Sequence, residues 1–78
     1  MMYTVILARE GAELDDIFIE SADAVNAEEA VYLVREKALI ADQGPGLIVY
    51  QAALATIYPL VAVFAGDLTP ELTGRDMP

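Results

Sequence analysis

From Gln43 to Gly66 the sequence QGPGLIVYQAALATIYPLVAVFAG runs for 24 residues without a charged side chain. No other feature limits the possible folds as much, because such a run either crosses a bilayer or lies against other apolar groups. Leu47 to Ala65 is long enough to span a membrane as a helix. Pro59 interrupts it, however, and Asp42 and Asp67 flank it with no Lys or Arg anchor on either side. Two core strands, about 47–51 and 60–65, account for the same run, with Pro59 placed where a strand tolerates it. The Ala-rich QAALAT between them also suits a helical turn. The expectation is therefore core rather than membrane.

The charge lies elsewhere. Thirteen acids face four bases, with no His, for a net charge of −9. Eight of the acids (Glu10, Glu13, Asp15, Asp16, Glu20, Asp23, Glu28 and Glu29) precede residue 30, where Arg9 is the only base. A chain with this balance lacks the basic footprint that nucleic acids and anionic lipids require, so a charged partner would be a basic protein surface. Solubility alone is the other reading of the acids. Ala, Val, Ile, Leu, Met, Phe and Gly make up 45 of the 78 residues, above the usual ~45–50%. A chain this short buries a small share of its surface, so the excess apolar side chains point to self-association or a partner. No basic stretch precedes the first apolar run, so a cytoplasmic location is expected. There is no Cys, hence no disulfide or thiolate metal site.

Along the chain, YTVILA (3–8) is apolar on both alternating faces and predicts a strand buried on both sides. A polar connection with Gly11 and several acids follows, then IFIESA, predicting a second strand over 16–22 and a hairpin. Asn26 and Glu29 fit a capping box, and Glu28 and Glu29 suit the positive end of a helix dipole. The helix is expected over 27–42, ending at QGPG with Gly44 as the left-handed terminator and Pro45 as the block. The expected fold is an α+β domain of two layers, with an antiparallel sheet of three to four strands, one main helix and a ββαββ-like order. Residues 69–78 are expected as a loose tail.

On a helical projection Ala27, Ala30, Val31, Val34, Ala38 and Ala41 form one narrow stripe of small or β-branched side chains, suited to close packing on a sheet. Tyr32 and Leu39 fall on a second line, and Leu33 and Ile40 on a third. These four are expected to form an apolar contact with a second copy or a partner; folding of the uncharged segment over them is the alternative.

The stretches MYTVILAR, AEEAVYLVREKALIAD and PLVAVFAGDL together resemble a group of short, acidic, uncharacterised bacterial and mobile-element proteins with a strand–strand–helix–strand plan. The resemblance covers about two thirds of the chain. It departs at QGPGLIVYQAALATIY, where those proteins carry an acidic polar link. It implies a fold and brings no catalytic residues.

Acid–base and nucleophilic catalysis draw mainly on His, Cys or a base-paired Ser. This sequence has Ser21 as its one serine and Lys37 as its one lysine. ELDD lacks the spaced ligands of a calcium loop, and GPG lacks the Lys and helix of a phosphate loop. The expectation is a non-enzymatic protein without cofactor or metal. One form is a binding module whose acidic ridge (Glu10, Glu13, Asp15, Asp16 and Glu20) occupies a basic, nucleic-acid-binding protein surface. Phage-encoded inhibitors, anti-CRISPR proteins among them, offer the analogy. The alternative is a homodimeric interaction protein that works through its apolar helix face.

Overall fold

The computed structural model describes residues 1–9 and 17–73. The domain is α+β. Three strands, β1 (Met2–Ala8), β2 (Ile17–Asp23) and β3 (Leu60–Ala65), form one antiparallel sheet in the order β2-β1-β3. Among the described residues three helices, α1 (Ala27–Gln43), α2 (Gln51–Ile57) and α3 (Thr69–Thr73), accompany it. Among the described residues no helix is long and apolar enough to cross a membrane.

The helix ends where local chemistry ends it. Asn26 has extended backbone angles and its side chain accepts from the Glu29 N–H at 2.8 Å, while the Glu29 carboxylate accepts from the Val25 N–H at 3.3 Å. That cap contributes about 1 kcal/mol. At the other end Gly44 takes φ 84°, open to glycine at little cost, and its N–H closes on the Ile40 carbonyl at 2.8 Å.

Antiparallel register sorts the sheet into two faces, because paired residues point to the same side. Val5 pairs with Glu20 and Val63, Leu7 with Phe18 and Leu60, and Tyr3 with Ala22 and Ala65. This face meets α1, where Ala30, Val31, Val34 and Ala38 of the predicted stripe are buried, while Ala27 at its start is half-buried and Ala41 near its end is exposed. Leu54 of α2 and Tyr58 complete the core.

The opposite face carries Thr4, Ile6, Ile17, Ile19, Ser21, Ala62 and Phe64. Its Thr4–Ser21 end is closed by the chain after β3. The Thr4 hydroxyl donates to the Gly66 carbonyl and accepts from the Leu68 N–H, both at 2.7 Å. The Ser21 hydroxyl donates to Asp67 Oδ1 at 2.7 Å. Asp67 also accepts from the Thr69 N–H and hydroxyl, and these bonds, Ser21 first, hold its carboxyl below the usual carboxylate range.

Three expectations need correction. Residues 47–51 do not form a fourth strand: 47–50 are irregular and α2 begins at Gln51, because the Ala-rich QAALAT follows its helical propensity. The uncharged run is only partly core, since α2 buries Leu54 alone and leaves Leu47, Ile48 and Tyr50 in solvent. The expected loose tail begins instead with α3, anchored by the Asp67 network; 74–78 lie outside the described residues.

Candidate functional site: two unlike sheet edges

A three-stranded open sheet has two free edges, and a free edge offers unpaired N–H and C=O groups to any passing strand. The two edges here are built differently. On β2 the register turns the Ser21 N–H and C=O outward, and both are taken by charged side chains. The N–H donates to the Glu20 carboxylate at 3.1 Å, and the C=O accepts from Lys37 Nζ at 2.9 Å. Lys37 reaches across from α1, so helix and edge close together. Charges placed this way exclude an incoming strand.

The β3 edge has no such guard among the described residues. Gly66 N–H bonds to Met2 O, and Ala8 N–H to Pro59 O. With the pairing of Phe64 to Thr4 and Ala62 to Ile6, this alternation turns the backbone groups of Val63 and Ala65 away from β1. The strand LVAVFA has no charge. Leu60 is 44%, Val61 56% and Phe64 40% exposed. Leu60 pairs with Leu7 while Ala62 pairs with Ile6, so Val61 is the extra residue of a bulge. Pro59, before the strand, leaves the outward groups of Val63 and Ala65 untouched.

Beside this edge runs a shallow groove of ≈ 340 Å³, lined by Ala27, Glu28, Val31 and Arg35 of α1 and by Leu60 and Val63 of β3. Arg35 Nε donates to the Tyr58 carbonyl at 2.9 Å, and burial lowers the guanidinium pKa. A wider cleft of ≈ 650 Å³ opens between α1 and α2, lined by Asn26, Glu28, Glu29, Tyr32, Arg35, Gln51, Ala52 and Ala55. Its chemistry is that of a polar surface, with no nucleophile–base pair.

The residues expected to make contacts are scattered. Glu10, Glu13, Asp15 and Asp16 lie outside the described residues. Glu20 is on β2, with its carboxylate turned back on Ser21. Leu39 is a correction: at 7% exposure it belongs to the core, because α2 folds over that flank of α1 and Leu39 packs with Leu54 and Tyr58 in one cluster. Tyr32 is half-buried, and a hydrogen bond to Glu36 raises its hydroxyl pKa. Leu33, half-buried, and Ile40, 52% exposed, line a small groove on the opposite flank of α1 with Ala22, Asp23, Glu36 and Lys37. The four therefore do not form one patch.

The edge of β3 is hard to see in the sequence because an uncharged, β-branched run looks the same in a central strand. Among the described residues there are three strands with β1 between the other two, and that order, which the sequence does not carry, makes LVAVFA an edge. Among the described residues no group of three or more His, Cys, Asp or Glu side chains could hold a metal ion. No family model, curated protein or solved structure matches this chain.

Proposed function

We propose that this chain is a small non-enzymatic protein-binding module that takes another polypeptide along β3. The observation supporting this reading is the contrast between the edges. On β2 the outward backbone groups of Ser21 are taken by Glu20 and Lys37, whereas the outward groups of Val63 and Ala65 on β3 lie in a strand without charged side chains. Strand addition draws affinity from such main-chain groups and specificity from alternate side chains beside them. The acids keep an apolar protein in solution and steer approach. A module whose acidic ridge occupies a basic surface, as a mobile-element inhibitor would, rests on Glu20 alone among the described residues. The edge therefore carries the proposal.

A photoreactive amino acid tests it in cells of the native source. Placed at Ala65, it should give discrete polypeptide adducts; placed at Asp23 beside the guarded edge, it should give few. Adducts at Asp23 and none at Ala65 would reverse the assignment.

A further inference from the structure

We infer that the polypeptide received by β3 is a second copy of this chain, paired antiparallel through β3 about a two-fold axis, so that two three-stranded sheets become one of six strands. The inference rests on the binding-module reading above and names its partner. A two-fold places the same patch on both sides, so a residue that meets another is met by it in return. Centred on Val63, the axis lets Val63 of each copy exchange both outward backbone bonds, the arrangement of a hydrogen-bonded antiparallel pair. Ala65 then faces Val61 of the other copy, and no charge lies along the seam.

Charge complementarity favours a copy over an unrelated strand. Glu28 and Arg35 line the same groove with Val31 between them, facing Leu60 and Val63. They stand seven residues apart on α1, about 10 Å along the axis. In the antiparallel copy α1 runs the other way, which sets Glu28 of each molecule toward Arg35 of the other. A module of net charge −9 thus meets itself where its few bases and acids alternate. Leu60, Val61 and Phe64 are each at least 40% exposed, so the pairing covers an apolar strip with the groove wall beside it, at the small end of specific interfaces. A reversible dimer with micromolar affinity is the expected strength.

Sedimentation velocity over a hundredfold concentration range should show monomer passing into dimer. Ala65→Pro removes one outward donor at an exposed position and should weaken the dimer about tenfold or more. Glu28→Arg and Arg35→Glu should each sediment as monomers, since each sets like charges face to face. Mixed in equal amounts, the two charge variants should form a heterodimer. The arginine introduced at position 28 of one molecule then meets the glutamate introduced at position 35 of the other, and across the axis the native Arg35 and Glu28 meet as before. Circular dichroism checks that each variant is folded. Should Arg35→Glu fail to fold, Glu28→Arg and Ala65→Pro still decide the question. A dimer unchanged by both overturns the inference. A strict monomer whose Ala65 position still cross-links to a different polypeptide also overturns it, while leaving the binding-module reading intact. A monomer with no adduct at Ala65 removes both.

Discussion

Val34→Asp is expected to abolish the cooperative thermal transition. Val34 is fully buried in the middle of α1, within the core that contains Val5, Leu7, Ala30 and Ala38. Asp is close to Val in size, so the site remains filled and the effect is one of charge. A carboxylate there has no partner and must either stay protonated or pull the helix off the sheet. Effective penalties of several kcal/mol are usual for an unpaired buried ion. A domain of 78 residues has a total stability of about 4–12 kcal/mol, at roughly 0.05–0.15 kcal/mol per residue. The penalty therefore consumes most of what holds the fold. Calorimetry and far-UV circular dichroism check this: a variant that keeps the wild-type melting temperature would place another face of α1 on the sheet.

Tyr58 is the second point of large effect. It is only 2% exposed, and its hydroxyl lies 2.9 Å from Asp42 Oδ2 and 3.3 Å from the Ala38 carbonyl. Asp42 also takes a two-point bond from Arg9, Nε to Oδ2 at 2.9 Å and Nη2 to Oδ1 at 3.2 Å. The end of β1, the end of α1 and the link between α2 and β3 are thus tied at one carboxylate. Tyr58→Ala should cost about 3–5 kcal/mol, as truncation of a large aromatic core residue does. Tyr58→Phe keeps the ring and should cost about 1–2 kcal/mol.

The two differ from wild type in pH dependence as well. Burial, and then the hydrogen bond and charge of Asp42, push the Tyr58 hydroxyl from its ordinary 10.0 to about 12. The folded state therefore holds this proton more tightly than the unfolded state. The resulting stability is complete below pH 10 and is lost as pH rises toward 12. Tyr58→Phe should lack that part of the alkaline decline, and matching alkaline limbs would refute the tie. Asp42 works in the opposite direction. The Arg9 hydrogen bond, opposed by burial and aided by Tyr58, holds its carboxyl below the ordinary value. That stability is present above the usual carboxylate range and is lost as pH falls through the lowered pKa.

How much of this is legible in the sequence depends on how local the physics is. The α1 cap at Asn26 and the stop at Gly44 are settled within a few residues, and the structure has both, with the Glu29 carboxylate on the N–H of Val25 rather than that of Asn26. Leu60–Ala65 likewise forms a strand with the expected bounds. LIVY, by contrast, has strand-forming side chains and no strand, because a strand also needs a neighbouring edge, which the side chains do not encode. Leu39 shows the same limit on a helix: its position off the stripe is legible, but the return of α2 over it is not. The β3 edge lies beyond that limit too, since whether a strand has one neighbour or two is decided by topology.

Lys37 is the only lysine in the chain, and its ammonium is the donor that occupies the outward carbonyl of Ser21. Any reagent that acylates lysine, whether a fluorophore ester, a biotin ester or an amine-coupling sensor surface, consumes that donor when it reacts there. The modified molecule keeps the Glu20 carboxylate on the Ser21 N–H but leaves the Ser21 carbonyl on the β2 edge without its charged donor. A probe attached through Lys37 would thus report on a protein whose β2 edge is only half guarded. Labels for interaction work belong on a cysteine introduced away from both edges.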